Sequence, residues 1–388
     1  MSHSVFRRRP VVGLWLVFFV NGAVLSAWAP RIPEIATGLA LSDAALGGAL
    51  FGVAGGSVPA LVAAGSLLRR VDCRPVCLTA GAAFAGGLPL LATADGPLAL
   101  GAALALLGAA SGVLDVAMNT AGVEFGSRRG ASVLSRLHGG YSLGVLAGAA
   151  GGDIATRTGI GVGPHFLAWS ALLLVLLAIA AAHLPRRAPS DGEPDDPRPA
   201  RGMPGGVTVG IAALAVAALL LEGTLTDWTA LLLARDHEAG RATGASAVVA
   251  FSLAMFVSRT AGDRVLGAVG RDRFLLLAAA VVAAGTAVAP LTPGWAGAYA
   301  GIVAAGLVLG PVFPAAVAAA AERSPGSVAA ATAAVSAVGY LAYLGGPPLV
   351  GFLADRWSLP VTVAAVGASC AAVFAAGAHG RRRHCADA

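Results

Sequence analysis

Long apolar runs, broken by short polar or Pro/Gly-rich stretches, follow one another along the whole chain. A run of about 20 apolar residues is long enough for a helix to cross the hydrocarbon core of a bilayer. The pattern therefore predicts an all-α integral membrane protein with twelve transmembrane helices. We place them at residues 10–30, 43–68, 76–94, 97–124, 138–156, 163–184, 206–233, 243–266, 272–290, 294–321, 329–353 and 358–379.

One polar stretch in the middle of the chain differs from the short breaks. Residues 185–205 read PRRAPSDGEPDDPRPARGMPG, a Pro-rich and charged sequence typical of a linker. The linker leaves six predicted helices on each side. We expect an N-terminal six-helix bundle at 1–184, a cytoplasmic linker at 185–205 and a C-terminal six-helix bundle at 206–388.

The two predicted bundles also carry similar residues at similar places. A shift of about 200 residues aligns Trp28 with Trp228. A shift of 198 aligns the following trio in the fourth helix with a trio in the tenth: Gly108, Gly112 and Glu124 with Gly306, Gly310 and Glu322. Because transporter folds are often built from internal repeats, the matches favour two pseudo-symmetric halves.

Composition supports the membrane interpretation and excludes other classes. The chain has 57% hydrophobic and 12% charged residues, with a mean hydropathy of +0.79, whereas about 25% charged residues is usual for soluble domains. The formal charge of +6 invites a nucleic-acid interpretation. However, the basic residues lie between apolar runs and leave no soluble basic face, so we expect a lipid bilayer around the protein and no nucleic acid. The four cysteines have no metal-site spacing, and we expect no metal or cofactor.

The distribution of basic residues predicts the orientation in the membrane. All 26 are arginines. With the N-terminus inside, we place most of them, including Arg259 and Arg264, in cytoplasmic segments. The opposite side keeps only Arg31, Arg157, Arg235, Arg241 and Arg356. The positive-inside rule then predicts a multi-pass plasma-membrane protein with both termini cytoplasmic, and the first apolar run is interpreted as a spanning helix rather than a cleaved signal peptide.

Two carboxylates stand inside apolar runs and are candidates for function. Glu222 lies in LLLEGTLTDWTALLL, residues 219–233, and Asp115 lies in GVLDVAMNTAGVEF. Ionisable groups inside a membrane are costly to hold, and a carboxylate in apolar surroundings binds a proton more readily than one in water. Asp115 and Glu222 are therefore our proton-coupling candidates; the alternative is a structural hydrogen bond to a neighbouring helix.

Other polar and aromatic residues in the predicted helices are candidates for the substrate cavity. Asn119 follows Asp115 by one turn on the same helix face. Aromatic side chains offer a platform for a sugar ring or a cation, although Trp is also enriched as an interface anchor. The other candidates are Asn21, Trp28, Tyr141, Thr226, Asp227, Trp228, Tyr340 and Tyr343; for Asp227, a role at the helix end stays equally open.

The turn between the eighth and ninth predicted helices carries a cluster of charges. Residues 262–274 read GDRVLGAVGRDRF, in which acids and arginines alternate near two glycines. We predict that these charges form a cytoplasmic latch that holds one conformation and releases another. The latch residues are Asp263, Arg264, Arg271 and Arg273.

These residues resemble a known family. GDRVLGAVGRDR is similar to the loop signature of the major facilitator superfamily, and the twelve-helix layout with a central linker is similar too. Five segments resemble the YbjJ/MosC-type branch near the fucose permeases: APRIPEIATGLALSDAALG, DVAMNTAGVEFGSRRG, EGTLTDW, AFSLAMFVSRTAGDR and GGPPLVGFLAD. The resemblance covers nearly the whole chain.

The resemblance implies a secondary transporter that works by alternating access, with proton-driven sugars or polyols as solutes. Fucose permeases carry an acid followed four residues later by Asn, which Asp115 and Asn119 match. They also carry an acid in the first helix, where this chain has none, and Glu222 is a possible replacement. Arg69 stands where the signature's Asp is expected in the first half, so the latch is expected only in the second half.

Other functions stay open at this point. A proton-driven exporter of drugs or metabolites would use the same fold, and the glycines of the fifth helix, Gly144, Gly148, Gly151 and Gly152, hint at an antiporter signature. A membrane-embedded enzyme would need clustered acids or metal-binding histidines, which the sequence lacks, and a receptor would keep the fold without moving solute. We expect a transporter rather than an enzyme, and a monomer from the family resemblance.

Overall fold

The computed structural model describes residues 3–68, 70–127, 134–184, 207–323 and 328–379. Within these ranges the chain is helical and contains no strand. The α-helices are α1 His3–Ser26, α2 Ile32–Gly38, α3 Asp43–Leu68, α4 Cys73–Gly87, α5 Pro97–Ser127, α6 Leu134–Arg157, α7 Val162–His183, α8 Val209–Leu231, α9 Gly240–Val269, α10 Arg271–Leu291, α11 Trp295–Leu309, α12 Val312–Glu322, α13 Val328–Trp357 and α14 Leu359–His379.

In the described part of the chain, 11 helices are long and apolar enough to span a membrane. The predicted helix that is not among these 11 is the fifth, 138–156, which corresponds to α6 and is 24 residues long. Its charged residues, Arg136, Asp153 and Arg157, lower its hydropathy below that of the others. The all-helical membrane fold predicted from the sequence is confirmed.

The observed helices differ from the predicted spans at three places. After the first predicted span, 10–30, a 3₁₀ turn at Ala29–Arg31 leads into a further short helix, α2, which the sequence did not predict. In the third, 76–94, α4 ends at Gly87 and a 3₁₀ helix covers Leu88–Ala92. In the tenth, Gly310 and Pro311 separate α11 from α12. Proline lacks the backbone N–H that an uninterrupted helix requires, and Pro30, Pro33 and Pro311 lie at or next to these breaks. The tenth predicted span, 294–321, covers both α11 and α12, so hydropathy alone predicts one helix where the chain forms two.

The chain divides into two compact units, which contain residues 1–41 with 48–195, and residues 42–47 with 196–388. The first turn of α3 thus belongs with the second unit. Asp43 accepts two hydrogen bonds from Arg235, at 2.6 and 2.9 Å, and a Cβ at Gly351 would overlap the backbone of Asp43. The central linker at 185–205 lies outside the described residues, so the domain bounds given above stay a prediction.

Glycines pack the helices of each unit in the same way. In the first unit, glycines of α5 lie against the backbone of α3; in the second, glycines at the end of α11 lie against α9. The contacting pairs are Gly108 with Val53, Gly112 with Ser57, Gly306 with Phe251 and Gly310 with Ser258. The glycines aligned by the 198-residue shift therefore make equivalent helix contacts, as small residues do in membrane proteins.

Gly52→Ala is expected to destabilise the protein, because a Cβ at this position would overlap the carbonyl oxygen of Gly101 on α5. Overpacking of this kind costs about 1–3 kcal/mol. The matched control is Gly48→Ala, one turn earlier on α3, where an added Cβ meets nothing within 4 Å. We expect a lower melting temperature in detergent for Gly52→Ala only; equal melting of the two variants would contradict this packing.

Candidate functional site

In the first unit, four polar side chains come from α1 and α5. Ser111, Asp115 and Asn119 lie one turn apart on the same face of α5. The Asn119 amide nitrogen donates to the backbone oxygen of Asp115 at 2.8 Å and to its carboxylate Oδ1 at 3.2 Å. The Ser111 hydroxyl donates to Oδ1 of Asn21 on α1 at 3.5 Å. The structure therefore brings Asn21, Asp115 and Asn119 to one polar face, which we call the α5 face.

Ser111 is a member of the α5 face that sequence reasoning missed. The signal was available, because Ser111 precedes Asp115 by four residues and therefore shares its side of the helix. A serine is common in membrane helices, so the spacing alone did not single it out. No cation pairs with Asp115 in the described part of the chain, and Asn119 is the one side chain seen to bond it.

The glycines of α6 pack this helix onto α1. Cβ atoms added at Gly144, Gly148 and Gly152 would overlap atoms of α1 or of the 3₁₀ turn that follows it. Gly22 of α1 lies in the same way against the backbone of Tyr141 on α6. The Tyr141 side chain is half-buried and Trp28 is buried. Helix packing thus accounts for glycines that also hinted at an antiporter signature.

In the second unit, Glu222 of α8 forms an ion pair with Arg259 of α9. The Arg259 Nη2 atom donates to both carboxylate oxygens of Glu222, at 2.7 and 2.8 Å. The side chains are 42% exposed for Arg259 and 19% exposed for Glu222. The predicted carboxylate therefore has a cationic partner inside a helix that is long and apolar enough to span the membrane.

Arg259, which the arginine distribution assigns to a cytoplasmic segment, lies close to the end of Gly240–Gly262, the span that α9 contributes. Its side of the membrane stays a prediction. Its polar surroundings come from Glu222 on another helix, and a count of charges along the chain cannot detect such a partner. The sequence signal for an arginine inside the helix was that the apolar stretch before Arg259 reaches it without a Pro or Gly residue between them.

The stem of Arg259 lies against the break between α11 and α12. A Cβ at Gly310 would come within 2.9 Å of Cγ of Arg259 and 3.0 Å of its backbone nitrogen. One turn further along α9, Gly262 lies against the ring of Pro311. These contacts show that α9 packs closely against the break between α11 and α12 on either side of Arg259.

The other candidates on α8 have different surroundings. Asp227 is half-buried, and no hydrogen bond or cation reaches its carboxylate from the described residues. Trp228 is 1% exposed, and its indole N–H lacks a partner within the same ranges. Thr226 and Tyr343 are half-buried, and the Tyr343 ring lies against Gly223. The side chain of Tyr340 lies outside the described residues, so its role stays a prediction.

The end of α8 is irregular beyond Trp228. A π-helical turn covers Leu232–Asp236, and such turns are frequent at functional positions. Arg235 projects from this turn and binds both Asp43 and Asp236. In the first unit, Trp28 likewise precedes an irregular turn that carries a buried arginine, Arg31, bound to Glu34 at 2.7 Å.

The predicted latch is described only in part. Arg264 and Arg273 are exposed, and the side chain of Asp263 lies outside the described residues. Arg271, at the start of α10, lies 3.6 Å from Glu322 at the end of α12. Sequence reasoning missed Glu322 as a partner, because the two residues are distant in the chain. Whether these charges act as a latch stays a prediction.

Known proteins similar to this chain include membrane transporters. It is 32% identical over 351 residues to an uncharacterized MFS-type transporter of Yersinia pestis, and this match covers 90% of each chain. It is 30% identical over 363 residues to the membrane protein MosC of Rhizobium meliloti, covering 92% of this chain and 88% of MosC. No protein-family model matches the chain. Because the Yersinia relative is named as a transporter, the expectation of a transporter rather than an enzyme is confirmed.

Solved structures of transporters share the fold at low identity. A mutant form of the nucleoside transporter NupG has a TM-score of 0.76 at 12% identity, covering 95% of this chain and 98% of NupG. A bacterial homologue of the lysosomal transporter Spinster, in an inward-facing and unoccupied conformation, has a TM-score of 0.69 at 15% identity, covering 97% and 98% of the two chains. These likenesses concern the fold alone.

Proposed function

Because the chain belongs to the major facilitator superfamily of membrane transporters, we propose that it is a proton-coupled secondary transporter that moves a small polar, sugar-like or polyol-like solute by alternating access. The observation that carries this proposal is the α5 face. There a carboxylate without a cationic partner among the described residues lies beside an amide and a hydroxyl on a membrane-spanning helix. Such a face offers hydrogen bonds to hydroxyl groups and a group that can bind a proton.

Asp115 and Glu222 are the proposed proton-coupling residues, one in each unit. Holding an ionised carboxylate in the centre of a membrane helix costs about 3 kcal/mol, and taking up a proton removes most of this cost. Asp115 has no cationic partner among the described residues, so it can take up a proton without first breaking an ion pair. Glu222 must first leave Arg259, because a carboxylate bound to a guanidinium is stabilised in its ionised form. Proton uptake by Glu222 would therefore change what Arg259 binds.

The sequence supports further parts of the proposal. The arginine distribution favours both termini in the cytoplasm and a location in the plasma membrane. The quoted segments favour the YbjJ/MosC-type branch near the fucose permeases. The substrate-cavity candidates and the latch residues are part of the proposal. No observation favours efflux of drugs or metabolites. The α6 glycines that hinted at an antiporter signature pack against α1 and its following turn or, for Gly151, against Trp169.

The test is uptake of labelled sugars and polyols into proteoliposomes with and without an imposed proton gradient. We expect at least one solute to accumulate above equilibrium only when the lumen is alkaline relative to the outside. Growth of cells in toxic compounds, with and without the gene, tests the efflux alternative in parallel. Protection from toxic compounds without gradient-driven uptake of any sugar or polyol would contradict the proposed direction and solute class.

A further inference from the structure

Helix α3 belongs to both compact units. Its first residues, up to 47, fall in the second unit, whereas those from 48 onward fall in the first. The helix itself runs without a break from Asp43 to Leu68. Any rearrangement that moves one unit relative to the other must therefore release residues 43–47 from the second unit or bend α3 near residue 47.

The longer part of α3 is held in the first unit by close backbone contacts. Cβ atoms added at Gly52 and Gly56 would overlap carbonyl oxygens of α5, and a Cβ added at Gly108 of α5 would overlap the backbone of Val53. Such close crossings depend on small residues and pack the two helices firmly. Residues 48–68 are therefore expected to move together with α5.

The first turn of α3 is bound within the second unit by an ion pair and by backbone packing. Arg235 donates Nη1 and Nη2 to the two carboxylate oxygens of Asp43, at 2.6 and 2.9 Å, and the Asp43 side chain is only 8% exposed. This two-nitrogen geometry is a strong and specific way for arginine to bind a carboxylate. Beside the pair, Gly47 lies against the backbone of Gly351 on α13. We call Asp43 with Arg235 the α3 clamp.

Arg235 has a second carboxylate within its own turn. Its Nε and Nη2 atoms donate to Asp236, both at 3.2 Å, and the two residues belong to the π-helical turn Leu232–Asp236. If Asp43 leaves, the guanidinium keeps an anionic partner that moves with it. The clamp can therefore open without leaving an uncompensated arginine charge, which is the main cost of breaking a buried ion pair.

Asp43 also keeps a favourable environment when it is released. It lies in the first turn of α3, where the unpaired N–H groups of the helix favour a negative charge. A hydrated carboxylate at this position is stable in its ionised form. Because both members of the α3 clamp stay stabilised after they separate, the arrangement suits a contact that opens and closes.

We infer that the α3 clamp is a reversible gate of the transport cycle, which is shut in the conformation described here and opens in the opposite one, when α3 moves away with the first unit. This inference rests on the proposed alternating-access transport and adds a gate to it. The clamp and the predicted latch stand at opposite ends of α9, a helix of 30 residues and about 45 Å. Alternating access requires closures at both ends of the solute pathway.

An ion pair inside the first unit serves as a contrast. Arg31 is 1% exposed and binds Glu34 at 2.7 Å as well as the backbone oxygen of Ile160 at 2.8 Å. All three residues belong to the first unit. A movement between the units does not require this pair to break, so Glu34→Gln is a suitable control for loss of an ion pair as such.

The first experiment locks the clamp. In the variant Asp43→Cys with Arg235→Cys, the protein in proteoliposomes is treated with a reducible thiol cross-linker long enough to span an ion pair. Uptake of labelled glucose, galactose, sorbitol and galactitol is measured before treatment, after treatment and after reduction. We expect the cross-link to lower uptake by a factor of about ten or more, and reduction to restore it, because a locked gate stops the cycle in one conformation.

The matched control is Asp153→Cys with Arg157→Cys, which carries the same cross-link within α6. Both residues belong to one helix, so we expect this cross-link to leave uptake unchanged. Wild-type protein treated in the same way controls for reaction of the native cysteines, of which Cys73, Cys77 and Cys370 are buried.

A second measurement needs no solute. Hydrogen–deuterium exchange of the full-length protein in detergent is compared for the wild type, Asp43→Asn and Glu34→Gln. Loss of the charged hydrogen bonds in Asp43→Asn should make the amides around Gly351 exchange about tenfold faster, while residues 101–112 of α5 keep their protection. Glu34→Gln should leave exchange around Gly351 at the wild-type rate.

Unchanged uptake by fully cross-linked protein would overturn the inference and would mean that α3 bends at Gly47 and Gly48 while the clamp stays shut. Exchange around Gly351 at the wild-type rate in Asp43→Asn would also overturn it. If wild-type vesicles take up none of the four solutes, the result counts against the proposed function, and the exchange measurement alone decides on the clamp. The exchange measurement likewise decides if the untreated cysteine variant is inactive.

Discussion

Asp115→Asn is expected to abolish proton-driven accumulation of solute while leaving solute exchange across the membrane intact. Asparagine has the shape of aspartate and keeps an oxygen for the Asn119 amide, and the bond from Asn119 to the backbone of residue 115 does not involve the side chain. It cannot bind and release a proton. The α5 face should therefore keep its geometry and lose its coupling, so that the concentration ratio across the membrane falls to about one.

The matched control is Asp153→Asn on α6 of the same unit. Asp153 pairs with Arg157 one turn later, at 2.9 Å and at the end of its helix, where an ion pair contributes little. We expect this variant to accumulate solute like the wild type. Accumulation by Asp115→Asn at the wild-type level, measured in proteoliposomes under the same gradient, would show that Asp115 is structural.

Arg259→Gln is expected to lower the stability of the protein markedly. The substitution leaves the Glu222 carboxylate inside the membrane without its cation. Removing one partner of a buried pair costs several kcal/mol and of an exposed pair less than about 1. For an arginine side chain that is 42% exposed, we expect about 2 kcal/mol, seen as a melting temperature lower by several degrees in detergent.

Rescue distinguishes the ion pair from general damage to α9. Adding Glu222→Gln to Arg259→Gln removes the uncompensated charge and should restore most of the lost melting temperature, because two amides can bond each other. Glu222→Gln alone should cost less than Arg259→Gln, since the side chain of Arg259 is more exposed than that of Glu222. A double variant no more stable than Arg259→Gln alone would contradict the role assigned to the pair.

The helices were predictable from the sequence because the membrane imposes their length and composition. Each apolar run had to satisfy its own backbone hydrogen bonds within the bilayer, which only a helix does for a single segment. The 3₁₀ turn that follows α1 and the break inside the tenth predicted span were less visible. Prolines mark both, but a proline inside a membrane helix is also tolerated, as Pro59 is within α3. The sequence therefore did not tell a break from an uninterrupted helix.

Within the candidate site, relations inside one helix were predictable and relations between helices were not. The fixed geometry of a helix placed Asn119 one turn from Asp115, and the structure gives that contact. Nothing in the local sequence links Glu222 with Arg259, or Arg271 with Glu322, because these pairs are set by how helices pack. The same holds for Asp43, which the apolar pattern assigns to the start of α3 and which binds Arg235.

The most direct test of proton coupling is to measure proton entry when solute is added. Proteoliposomes containing a trapped pH indicator receive a solute that the protein transports, with no gradient imposed beforehand. The proposed mechanism predicts that the lumen acidifies as the solute enters, and that vesicles with Asp115→Asn show solute exchange without acidification. Solute entry into wild-type vesicles with no change of luminal pH would contradict it.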